Sequence, residues 1–89
     1  MSYRVRIDKS AQKFLKKMDK FSAGVILDWI EKNLEGSEDP RRHGKGLTAN
    51  RSGEWRYRVG NYRIIANIND ENVIILILDI NHRSEIYKN

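Results

Sequence analysis

The sequence has no cysteine and only two histidines, His43 and His82. No disulfide framework and no thiolate metal site can form, and two histidines are too few for a His-based metal cluster. There is a single proline, Pro40, which marks the one clear break in the chain. Repeats, linkers and low-complexity segments are absent. The longest apolar run, Val73 to Leu78, is far too short to cross a bilayer. The opening Met-Ser-Tyr-Arg-Val-Arg lacks the apolar stretch of a secretion signal. These absences lead to the expectation of a cytoplasmic protein with no membrane association. The 89 residues suit one domain, residues 1–89. A chain of this size buries roughly 60–65% of its unfolded surface, so its core is modest.

What is present is positive charge, and it is concentrated. The net charge is +5. Residues 1–40 hold 8 Lys/Arg against 7 Asp/Glu, and residues 64–89 hold 2 against 4. Residues 41–63 carry Arg41, Arg42, Lys45, Arg51, Arg56, Arg58 and Arg63 against Glu54 alone. One stretch thus holds the whole excess, and it uses arginine six times to lysine once. A clustered guanidinium patch favours a polyanion, of which nucleic acid is the commonest. The bland alternative is a solvated surface kept for solubility.

Hydrophobic periodicity supplies the elements. Tyr3, Val5 and Ile7 alternate with Arg4 and Arg6, which predicts a half-buried strand. Asp8 or Ser10 can cap a helix whose inner face is Ala11, Phe14, Leu15 and Met18. Ser22 is the candidate N-cap of a second helix, with Val25, Ile26, Trp29, Ile30 and Leu34 inward and Gly36 as its stop. A short link implies an antiparallel helical hairpin. Residues 37–53 read as a loop. The period then changes to two. Trp55, Tyr57 and Val59 form a strand, Gly60-Asn61 a two-residue turn, and Tyr62 to about Ile68 the returning strand. Val73–Leu78, apolar on both faces, is expected to be the central strand. Residues 84–87 leave room for a short last one. The order β-α-α-β-β-β predicts an α+β fold, with an N-terminal strand and helical hairpin packed on a small antiparallel sheet.

The turn makes the charge argument sharper. With Gly60-Asn61 as a two-residue loop, Val59 faces Tyr62, Arg58 faces Arg63 and Tyr57 faces Ile64. Opposite residues share a sheet face. Arg58 and Arg63 therefore stand together, with Arg56 beside them, away from the core. Like charges so placed cost roughly 0.2–1 kcal/mol. A phosphate would repay that cost, because the guanidinium fork matches its oxygens. The competing arrangement has each arginine splayed over an apolar neighbour such as Ile65. His82-Arg83 and Tyr87 close the chain, and a lone histidine or a terminal tyrosine serves packing more often than chemistry.

The run Gly53-Glu54-Trp55-Arg56-Tyr57-Arg58-Val59-Gly60-Asn61-Tyr62-Arg63-Ile64-Ile65, followed by Asn81-His82-Arg83-Ser84-Glu85-Ile86-Tyr87, resembles the RelE toxins of the RelE/ParE superfamily. The likeness extends through the helical hairpin and the loop Asp39-Pro40-Arg41-Arg42-His43-Gly44-Lys45-Gly46-Leu47. It implies the toxin of a type II toxin–antitoxin pair, held inactive by a RelB-like antitoxin carrying an acidic amphipathic helix. It also implies a ribosome-dependent, metal-independent endoribonuclease that cleaves messenger RNA in the ribosomal A site, with no cofactor. By position, Arg58 and Arg63 would serve the scissile phosphate and Arg56 would contact the RNA strand. Tyr87 would stack a nucleobase. His82-Arg83 falls near a basic residue that assists the leaving group. Histidine is the side chain that ordinarily titrates near neutrality, so His82 is the proton-transfer candidate, with His43 a weaker one. Arg41, Arg42, Lys45 and Arg51 complete the RNA-binding set. Some RelE enzymes have lysines where this chain has Arg56 and Arg58, and arginine holds its proton too firmly to be a good base. ParE-like relatives on the same fold inhibit DNA gyrase, and a non-catalytic RNA- or ribosome-binding module is a third reading.

Overall fold

The computed structural model of the chain describes residues 2–46 and 54–82. Arg51, Arg83, Tyr87 and the expected strand at 84–87 lie outside the described residues. The elements run β1 (Arg4–Ile7), α1 (Lys9–Lys17), α2 (Lys20–Asn33), β2 (Lys45–Gly46), β3 (Glu54–Val59), β4 (Tyr62–Asn69) and β5 (Ile74–His82). The expected α+β class and element order are found, with β2 as a two-residue addition inside the predicted loop. The sheet order is β1-β5-β4-β3-β2. Strands β2 to β5 pair antiparallel, whereas β1 joins β5 in parallel and makes the sheet mixed. Nothing forces β1 antiparallel, since the helices and three strands separate it from β5 and no tight turn joins them.

One face of the sheet is covered by the helices, α1 over β5 and α2 over β3. Ala11, Ile26, Ile30 and Leu34 meet Tyr57, Val59, Ile64, Ala66, Ile75, Ile77 and Ile80 in the core. Phe14, Leu15, Met18 and Trp29 pack against it half-buried. Val25, predicted to share this stripe, is exposed. Like the half-buried Trp29 one turn on, it sits about 100° round the helix from the Ile26–Ile30–Leu34 line, at the margin of the stripe. The cap of α2 also differs from the prediction. Asp19 occupies the N-cap, and its carboxylate accepts from the Ser22 backbone N–H at 2.8 Å. This bond holds the Asp19 carboxyl below the usual range. Asp8 stands at the N-cap of α1 without a side-chain cap bond, while the Ser10 hydroxyl donates to the Leu78 carbonyl at 2.7 Å. Gly36 has φ +78°, which suits the end of α2.

The apolar run Val73–Leu78 is not the central strand. That place belongs to β4, and β5 lies second from the edge, starting at Ile74 and reaching His82. Val73 sits in the preceding turn at φ 57°. A β-branched residue there is unusual and costs about 1–2 kcal/mol. Its carbonyl accepts the Arg4 N–H at 3.0 Å, one of the bonds by which β1 joins the sheet.

β5 contains a bulge that decides what reaches the other face. Ile65 pairs with Asp79 but Ala66 pairs with Ile77, so Leu78 is the extra residue. Beyond it the alternation is inverted. Ile77 and Ile80 both enter the core, and Asn81 rather than His82 shares the face of Arg63.

Candidate nucleic-acid interface

The predicted hairpin register is the one observed: Val59 opposite Tyr62, Arg58 opposite Arg63, Tyr57 opposite Ile64 and Trp55 opposite Ala66. Tyr57, Val59, Ile64 and Ala66 are buried beneath the helices, so Arg56, Arg58 and Arg63 stand on the face opposite the described helices. Lys45 joins them from β2, where it pairs with Arg56. Together with Gly44 these four cations line one cleft of about 310 Å³. Arg58 is exposed, Arg56 half-buried, and Arg63 buried at 6% exposure. A guanidinium withdrawn from water costs several kcal/mol in general terms. Two more arginines and a lysine flank it in the same cleft.

The wall of this cleft is fixed by the residues before Lys45. Tyr57, inward on β3, sends its hydroxyl to the Pro40 carbonyl at 2.6 Å. Burial raises its phenol well above the ordinary range. Trp55 Nε1 donates to the His43 carbonyl, also at 2.6 Å. Arg41 makes two 3.0 Å bonds to the two carboxylate oxygens of Asp70 in the β4–β5 turn, and the Tyr3 hydroxyl donates to the same carboxylate at 2.6 Å. Arg41 also lies 6.0 Å from the Trp55 ring. The guanidinium and then the phenol hold the Asp70 carboxyl below the usual range, and the carboxylate raises both Arg41 and Tyr3. Gly44 has φ +79°, and a Cβ there would run into the Arg56 carbonyl oxygen. Only glycine lets the loop press this closely on β3.

The basic stretch therefore divides. Lys45, Arg56, Arg58 and Arg63 converge. Arg41, read from sequence as an RNA contact, is committed to Asp70. Arg42 and His43 border a different groove, about 510 Å³, shared with Glu35, Glu38 and Asp39. His43 also stands edge-on to Trp29 at 5.7 Å. His82 is not brought to the arginines. The bulge turns it to the face of Tyr62, whose ring it meets edge-on at 5.0 Å, with Phe14 next in line at 6.3 Å from Tyr62. Two features of the cleft escaped the sequence reading. Gly44 was legible only as a loop glycine. The bulge had a signal: Ile75 and Ile77 set a period that would bury Asp79 and expose Ile80, a conflict that one extra residue resolves.

The sequence and the fold have known counterparts. The family model described as "ParE toxin of type II toxin-antitoxin system, parDE" matches residues 5–87. Toxin RelG of Mycobacterium tuberculosis is 32% identical over 88 residues, 99% of each chain. The toxin–antitoxin complex RelBE2 of the same organism contains a chain 30% identical, with TM-score 0.83 over 93% of this chain and 100% of that one. The archaeal RelE–RelB complex of Pyrococcus horikoshii gives 27% identity and TM-score 0.70 over 93% and 97%. The isolated E. coli RelE toxin, at 21% identity and TM-score 0.74, shares the fold. By family match, by full-length identity and by structure, the chain belongs to the RelE/ParE family of toxins of type II toxin–antitoxin systems.

Proposed function

We propose that this toxin is a ribosome-dependent messenger RNA endoribonuclease acting in the cytoplasm, with the cleft of Lys45, Arg56, Arg58 and Arg63 as its phosphate site. The observation that carries the reading is the register Arg58 opposite Arg63, which gathers guanidinium groups on the sheet face opposite the described helices. In the reaction, the 2′-hydroxyl of the RNA attacks the adjacent phosphorus and the 5′-oxygen leaves. Negative charge grows on the phosphoryl oxygens in the transition state. Preorganised donors aimed at them are the largest catalytic contribution, about a hundredfold or more per group. Arg58 and Arg63 are the donors, and Arg56 positions the strand. The need for a 2′-hydroxyl restricts the reaction to RNA. Arg83 and Tyr87, from the C-terminal motif, are retained as candidates for substrate contact on the resemblance alone. His82, which faces Tyr62, is the weakest member of that set.

A RelB-like antitoxin is the proposed partner, since chains similar to this one occur in RelE–RelB complexes. The matching family model is that of ParE toxins. That observation favours the second reading, gyrase inhibition. Tightly controlled expression with mapping of messenger RNA ends separates the two. Cleaved messages with intact chromosomal DNA support the nuclease reading. Intact messages with a DNA-damage response refute it in favour of gyrase.

A further inference from the structure

We propose that Lys45 is the general acid of this cleft, donating a proton from its ammonium nitrogen to the departing 5′-oxygen of the RNA. The inference rests on the ribonuclease reading and adds to it a group drawn from the described lining of the cleft. Breaking the bond from phosphorus to the 5′-oxygen leaves an alkoxide that must be protonated. Among the described cleft residues Arg56, Arg58 and Arg63 are guanidinium groups, which stabilise charge but do not part with a proton. His82 stands on the other face of the sheet by register. Lys45 is the one described side chain lining the cleft that ends in an ammonium. An ammonium yields a proton far more readily than a guanidinium, and it turns three donors on a flexible stem.

Its placement is prepared by the fold. Lys45 pairs with Arg56 across the β2–β3 ladder, on the same face as Arg58 and Arg63. The bonds of Tyr57 to Pro40, Trp55 to His43 and Arg41 to Asp70 pin the loop within five residues of it. Gly44 then seats the backbone against Arg56. The step balances as follows. The 2′-oxygen forms its bond to phosphorus and gives its proton to solvent. The 5′-oxygen takes the P–O electron pair and the Lys45 proton. The resulting amine recovers a proton from solvent, and the products are a 2′,3′-cyclic phosphate and a 5′-hydroxyl.

The experiment compares full-length wild type, Lys45→Arg, Lys45→Met, Arg58→Ala and Arg83→Ala on programmed ribosomes. The messages carry either the ordinary 5′-oxygen or a 5′-bridging sulfur at the scissile position. A thiolate leaves without protonation, so sulfur bypasses a general acid. Both Lys45 variants are expected to cleave the ordinary message about a hundredfold more slowly. Lys45→Arg keeps its ribosome affinity, and both variants recover to near wild-type rate on the sulfur message. Arg58→Ala stays slow on both. Lys45 is exposed, and unchanged melting curves exclude misfolding. The proposal is overturned by a wild-type rate for Lys45→Arg on the ordinary message, or by Lys45 variants slow on both messages. Sulfur rescue of Arg83→Ala in their place overturns it too. A wild type inert on both would instead remove the ribonuclease reading itself.

Discussion

A two-residue turn makes Arg58 and Arg63 neighbours in the proposed phosphate site, and the roles of single residues can be separated by substitution. Arg58→Ala is expected to reduce cleavage by about a hundredfold or more while leaving the melting temperature nearly unchanged, since its side chain is exposed. Arg63→Ala should remove activity to a similar degree and lower stability as well, because Arg63 is buried. Toxicity assays with circular dichroism melts check both. Asp70 answers to pH. Its carboxyl is held below the usual range in the folded chain by Arg41 and Tyr3. Below about pH 4, where unfolded carboxylates take up protons, the unfolded state binds more protons than the folded one. The contribution of Asp70 is thus complete above that pH and is lost as acid passes through its folded value. Asp70→Asn should flatten the acid limb of the stability profile, measured by urea titration from pH 2.5 to 6. An unchanged slope would show that the Arg41 pair does not survive in solution.

At the scale of elements, the hairpin is legible and the strand after it is not. The alternation Trp55, Tyr57, Val59 and the Gly60-Asn61 turn fix face and register together, so the pairing read from sequence is the pairing found. The helices are legible from their apolar stripes, with Val25 misplaced because it stands at the margin of its stripe, off the Ile26–Ile30–Leu34 line. The Val73–Leu78 run misleads because apolar residues on both faces say burial, not position, and Val73 is spent in a left-handed turn. The bulge at Leu78 shows in the sequence only as a break of the period-two pattern at Asp79 and Ile80, and it separates His82 from the arginines. Local hydrogen bonds explain the place of Arg41 in the basic stretch. Arg41 belongs to a clasp that holds the loop, which charge counting cannot distinguish from a ligand contact. Gly44→Ala tests that loop. The added Cβ meets the Arg56 carbonyl at an unfavourable φ, so destabilisation of at least about 1–2 kcal/mol is expected by chemical denaturation.

For the whole molecule, the sheet face opposite the described helices holds the cleft. No helix among the described residues is long and apolar enough to cross a membrane. Four cations in one cleft predict salt-sensitive RNA binding. For single strands the logarithmic slope is about −0.7 per phosphate neutralised, so removing Arg56 or Arg58 should make it shallower by roughly that amount. Fluorescence anisotropy across a salt series checks this. An unchanged slope would place the RNA elsewhere on the surface. The most direct test of the central claim uses purified toxin, programmed ribosomes and two messages that differ only in a 2′-deoxy substitution at the A-site nucleotide. Cleavage of the ribose message to a 2′,3′-cyclic phosphate and a 5′-hydroxyl, abolished by the single deoxy substitution and by Arg58→Ala, is the predicted result. Equal cleavage of both messages, or of neither, contradicts it.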